Sequence, residues 1–146
     1  MIVRLKRLDA SAHLPDYAHD NDAGCDLYSN EECGIAPGAR ALVRTGIAMA
    51  IPDGFVGLVW DKSGLAVKQG LHRLAGVIDS GYRGEIQVAL INLGNEQIQI
   101  AKGQKIAQLL FQKVEHAQLE EVKDLDATAR GASGFGSTGL HKKEGK

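Results

Sequence analysis

Five short segments of a 146-residue chain bring glycines together with side chains that can hold charge or move a proton. In Gly76-Val77-Ile78-Asp79-Ser80-Gly81-Tyr82-Arg83-Gly84-Glu85 a carboxylate follows an apolar pair and an aromatic comes three residues later. Such a carboxylate can orient a water and take its proton, and a flat ring can lie against a sugar or a base. The same residues also read as a plain hairpin loop. Trp60-Asp61-Lys62-Ser63-Gly64-Leu65-Ala66 offers a cation, a hydroxyl and a glycine. Ser63 reads there as the N-cap of one or two helical turns that stop at Gly70. The unpaired amides and positive end of that helix also suit a phosphate. Asp22-Ala23-Gly24-Cys25-Asp26 carries two carboxylates four apart, as a turn entering a strand or as a charged cluster. Gly103-Gln104-Lys105-Ile106-Ala107-Gln108-Leu109 reads most simply as a turn before a core strand.

The fifth segment, Arg130-Gly131-Ala132-Ser133-Gly134-Phe135-Gly136-Ser137-Thr138-Gly139, has the composition of a linker. It equally has that of a phosphate-cradling loop, although without Walker A spacing. Phe135 has a use if the tail orders over a planar ligand, with Arg130, Ser137 and Thr138 clamping phosphate beside it.

These segments need a scaffold, and the apolar period that supplies one is two. Ile86, Val88 and Leu90 alternate with Gln87 and Ala89, and Ile98 and Ile100 with Gln97 and Gln99. Gly94-Asn95 between them is a hairpin signal. Val3 with Leu5, Leu42 with Val43, Ile47 to Ile51, Phe55 to Trp60 and Ile106 to Phe111 are further short strands. Turns at Pro37-Gly38 and Pro52-Asp53-Gly54 separate them. The pattern predicts an all-β sandwich or barrel with one short helix. Residues 1–126 form the β domain, and 127–146 form a glycine-rich arm.

Composition narrows the partners. Lys+Arg 17 against Asp+Glu 18 gives a net charge of -1, which disfavours a broad cationic face for nucleic acid. A small anion held by a few local donors remains open. No run approaches the roughly 20 apolar residues of a membrane span. Residues 1–8 lack the unbroken apolar stretch of a signal peptide, and two cysteines are too few for a disulfide framework. The expectation is a cytoplasmic protein with neither a membrane nor a nucleic-acid partner. Aromatics at 5% leave the core to Val, Ile, Leu and Ala.

In this order and spacing the five segments resemble the five motifs of the trimeric deoxyuridine triphosphatases (dUTP diphosphatases), from about Asp22 to Gly139. The resemblance implies a jelly-roll-like β domain assembled as a homotrimer. Each active site would lie at a subunit interface, closed by a neighbour's C-terminal arm. It implies hydrolysis of dUTP to dUMP and pyrophosphate, which keeps uracil out of DNA and supplies dUMP for thymidylate synthesis. Carried over by position, Asp79 holds and activates the attacking water, and Tyr82 packs against the deoxyribose where a 2′-hydroxyl would sit. The backbone of Gly76, Val77 and Ile78 reads uracil. Lys62, Ser63 and Gly64 meet phosphate oxygens, and Gln108 meets the α-phosphate. Phe135 stacks on uracil while Arg130, Gly136, Ser137 and Thr138 bind beside it, Arg130 and the two hydroxyls at the γ-phosphate. The cofactor implied is Mg²⁺, chelated mainly by the triphosphate, with Asp26 reaching it through water.

Two departures stand out. Asp61-Lys62-Ser63-Gly64 replaces the usual Pro-Arg-Ser-Gly, and Lys105 stands where Arg is common. Lysine keeps the charge and loses the bidentate fork, while Asp61 adds a negative charge beside a phosphate site. Arg73 falls in a variable stretch and takes no role. Two rivals have other chemistry. A deoxycytidine triphosphate deaminase would carry a glutamate at the position of Ala89, and a non-catalytic dUTP sensor would keep the pocket without turnover.

Overall fold

The computed structural model describes residues 1–134. The alternating segments become strands, ten in all among the described residues. In chain order they are β1 (Arg4–Arg7), β2 (Cys25–Tyr28), β3 (Cys33–Ile35), β4 (Arg40–Ala50) and β5 (Phe55–Asp61). After helix α1 (Ser63–Gln69) come β6 (Leu71–Arg73), β7 (Val77–Ile78), β8 (Glu85–Asn92), β9 (Ile98–Ile100) and β10 (Lys105–Lys113). One sheet has the order β1-β4-β8-β6, a second β2-β10-β5-β7, and β3 pairs with β9. Every strand pair is antiparallel.

The period-two pattern shows directly in burial. Along β8, Ile86, Val88, Leu90 and Asn92 point inward, and Ile98 and Ile100 flank an exposed Gln99. Residues from all three sheets meet in one aliphatic core that includes Leu27, Ile35, Ile47, Ile86, Ile106 and Leu109. Among the described residues no Phe, Tyr or Trp is buried, in keeping with the low aromatic content. The architecture is all-β and jelly-roll-like with one short helix.

The strands and helix lie in one unit, Met1–Glu115, and His116–Lys146 forms a second. The sequence places its boundary later, at 126/127, where glycine and serine accumulate.

Several local expectations change. Leu42-Val43 and Ile47–Ile51 belong to a single strand, β4, whose register with β8 shifts between Arg44 and Ala48. Strands β3, β6 and β7 are additions to the expected set, while β2 is the strand that the turn at 22–26 was read as entering. Gly94-Asn95 is not a hairpin turn, because β8 pairs with β4 and β6 while β9 pairs with β3. The fully buried Asn92 explains the crossing. Its amide donates to Ile35 O (2.8 Å) and Glu96 O (2.7 Å) and accepts from Gly94 N (2.9 Å), tying the connection down between sheets.

Helix α1 ends as expected at Gly70, in the left-handed region at φ 71. Its Cβ position would stand only 2.7 Å from Gly94 N, so both backbone shape and close approach demand glycine. At the other end Lys62, not Ser63, is the N-cap, and no side chain caps the helix. The Lys62 side chain is engaged elsewhere.

Candidate active site

The third segment forms a wall of a cavity of about 260 Å³ lined by Gly76, Val77, Ile78, Asp79 and Tyr82, with Val59 and Ile86 behind them. Strand β7 pairs with β5 through Gly57↔Ile78 and Leu58↔Val77. It is the last strand of its sheet, so among the described residues one edge of its backbone has no strand partner. Gly76 makes the approach possible. It has φ 153, accepts from Val59 N at 2.8 Å, and leaves room for no Cβ, which would sit 2.7 Å from Val59 O.

Beyond Ile78 the chain leaves the sheet in a β-turn closed by Tyr82 N donating to Asp79 O (3.1 Å). The first and fourth residues of such a turn are neighbours, which sets the carboxylate and the ring side by side. Arg83 staples the turn by donating to Ser80 O (2.6 Å) and Tyr82 O (2.8 Å). Glu85 secures its far end, accepting from Gly46 N (2.8 Å) and Arg44 Nε (3.1 Å).

The first, second and fourth segments meet at a different place. Strand β10 lies between β2 and β5, so Gln108 stands opposite both Asp26 and Trp60. Asp26 is 3% exposed. Lys62 Nζ donates to its Oδ1 at 2.5 Å, and Lys105 Nζ makes a charge contact with Oδ2 at 2.6 Å. Burial pushes the Asp26 carboxyl up, but the contacts from Lys105 and Lys62 outweigh it and hold the group below its ordinary 3.8. In return, Asp26 raises Lys105 above its usual value. Beside this triad a cavity of about 420 Å³ is lined by Asp22, Gly24, Trp60, Asp61, Ser63 and Gln108. Gly64 faces open space at the start of α1, where the first amides have no partner within the helix.

Asp61 turns its carboxylate towards β6. It accepts from Arg73 N (2.8 Å) and contacts His72 Nδ1 (2.7 Å), while its carbonyl accepts from Gln108 Nε2 (2.9 Å). Arg73, left without a role by the sequence, lies 4.8 Å over the Trp60 ring. Asp61 thus ties the second segment to β6 and β10.

The two clusters are well separated in one chain. Ile78, the last paired residue of β7 before Asp79, stands opposite Gly57, and Gly57 to Lys62 is about 17 Å of extended strand. In the second unit Arg130 Nε donates to Ser133 O (2.9 Å), across a turn in which Gly131 N donates to Thr128 Oγ1. Phe135, Gly136, Ser137 and Thr138 lie outside the described residues.

Sequence reasoning gave no role to Lys105, Trp60 or the Asp61 carboxylate. A signal for Lys105 existed, since both departures that exchange Arg for Lys fall at positions that now share one carboxylate.

Residues 10–139 match the family model described as dUTPase. The chain belongs to the dUTPase family. Among its relatives, the deoxyuridine 5′-triphosphate nucleotidohydrolase of Mycobacterium leprae is 54% identical over 143 residues, covering 92% of this chain and 93% of the relative. Of the solved structures, the Staphylococcus bacteriophage 80alpha dUTPase with dUPNHPP superposes with TM-score 0.90 at 29% identity, covering 95% and 99% of the two chains. A D95N dUTPase from phage phi11, described with a structural Mg(II) ion, gives TM-score 0.80 at 27% identity over 85% and 98%. Family membership and the aligned strands agree with the jelly-roll-like architecture.

Proposed function

We propose that this member of the family hydrolyses dUTP to dUMP and pyrophosphate, keeping uracil out of DNA and supplying dUMP for thymidylate synthesis. The observation that carries the reading is the Asp79–Tyr82 turn at the cavity wall, in a chain that matches the family over residues 10–139. Asp79 orients a water and accepts its proton as the oxygen attacks the α-phosphorus. A new P–O bond forms, the bond from that phosphorus to the bridging oxygen breaks, and pyrophosphate leaves. The unpaired edge of β7 supports base reading by Gly76, Val77 and Ile78. Excluding thymine's methyl by packing yields only about 1–3 kcal/mol, whereas backbone groups left unmatched by cytosine discriminate more strongly. Tyr82 packs on the deoxyribose.

On the phosphate side, Lys62, Ser63, Gly64 and Gln108 hold the triphosphate, and Lys105 adds a second ammonium. Phe135 stacks on the base, with Arg130, Gly136, Ser137 and Thr138 closing over the nucleotide as part of the 127–146 arm. Among the described residues no group of three His, Cys, Asp or Glu could hold a metal. That donor set fits a Mg²⁺ brought in by the triphosphate rather than a resident ion. When bound, it neutralises phosphate charge and fixes the chain's conformation. Asp26 would face a water of that ion with a carboxylate oxygen, beside the Lys62 and Lys105 ammoniums.

The separation of about 17 Å along β5 supports a site shared between copies, since both clusters must reach one triphosphate. The family resemblance supports a homotrimer. No helix among the described residues is long and apolar enough to cross a membrane, and the proposed location is the cytoplasm. Pyrophosphate release across dUTP, dCTP, dTTP and UTP with Mg²⁺ tests the activity. Turnover of dUTP far above the others is expected, and uniform turnover or none refutes it.

A further inference from the structure

We infer that Gly84 is the seat of the Tyr82 ring, and so a positioning residue for selection of the sugar. The inference rests on the reading that Tyr82 packs against the deoxyribose. Tyr82 is 46% exposed, so the ring is open to solvent over nearly half its surface. Its backbone is fixed by the turn bond to Asp79 O and by Arg83 on its own carbonyl. That leaves only the side-chain torsions free. They are set by two contacts: the hydroxyl donates to Glu85 O at 2.9 Å, and the ring lies directly over Gly84.

A Cβ placed on Gly84 finds all three of its nearest heavy atoms in Tyr82. It would overlap the hydroxyl oxygen and stand 2.6 Å from Cζ and 3.0 Å from Cε2. Nothing else explains a glycine here. Its φ is not in the left-handed region, so alanine meets no backbone strain. The half-exposed ring can swing outward into solvent, breaking its bond to Glu85 O while the fold persists. Gly84→Ala therefore removes the ring from the place where a 2′-hydroxyl would be refused, without changing a group that would touch the nucleotide.

The test compares kcat/KM for dUTP and UTP in the wild type, Gly84→Ala, Tyr82→Ala and the double variant. Gly84→Ala is expected to lower the preference for dUTP by roughly tenfold or more, the scale of a lost packing contact in a binding pocket. Adding Gly84→Ala to Tyr82→Ala should change the preference no further. An undiminished preference in Gly84→Ala overturns the inference, as does an equal further loss in the Tyr82→Ala background. A wild type that does not prefer dUTP to UTP overturns the parent reading and this inference with it. If Gly84→Ala fails to fold, calorimetry of the double variant decides. With no ring to overlap, its melting should return to that of Tyr82→Ala, and a shared failure to fold refutes the seat.

Discussion

The turn that carries Asp79 and the triad around Asp26 are organised by opposite means. In the turn, backbone hydrogen bonds, the Arg83 staple and Glu85 fix where the side chains start. In the triad, position comes from charge, two ammoniums on one buried carboxylate. A backbone-held group stays put when substrate arrives, as proton transfer in a fixed geometry requires. A charge-held group can change partners, and phosphate oxygens offer lysine a second anion. The difference suggests a division of labour, with chemistry on the rigid region and capture of the triphosphate on the exchangeable one.

Three experiments press on that contrast. The largest effect belongs to the rigid region: Asp79→Asn should lower kcat by about 10²–10⁴ with dUTP binding retained in titration calorimetry. Normal kcat would take Asp79 out of the chemistry. Next, if the regions work on one nucleotide from different copies, mixing Asp79→Asn with Lys62→Ala subunits under exchange should regain about a quarter of wild-type activity, because that share of interfaces pairs two intact halves. No recovery in exchanged oligomers would place both regions on the same copy.

The smallest effect is on stability. The folded Asp26 carboxyl titrates below 3.8, so it contributes stability above its unfolded value near ~3.9 and loses it as pH falls through the folded value. Asp26→Asn should cost about 1–3 kcal/mol at neutral pH and flatten the acid side of the stability profile below about pH 4. An unchanged acid limb in denaturant titrations would show that the triad is not held by charge.

Much of the rigid region was legible in the sequence, because its information is local. An Asp and a Tyr three apart between glycines already describe a four-residue turn with both side chains on one side. The triad was not legible, because Asp26 meets Lys105 only through the pairing of β2 with β10, a register fixed by distant residues. Strands β3, β6 and β7 have two or three residues each, too few for alternation to declare itself. Gly94-Asn95 misled for another reason. The same turn residues serve a hairpin or a crossing between sheets, and the deciding group, the Asn92 amide, is buried at the end of the preceding strand. Asp61 was read by its charge alone, when its hydrogen-bond partners on β6 determine what it does.

The aliphatic core has an optical consequence. Trp60, the chain's one tryptophan, is 49% exposed and borders the cavity beside Ser63 and Gln108, with Arg73 over its ring. Its fluorescence therefore samples the proposed phosphate side of the site rather than the packed interior. A nucleotide should change the emission without any change in folding, and a melt followed by tryptophan should report when the site comes apart, while far-ultraviolet dichroism follows the sheets.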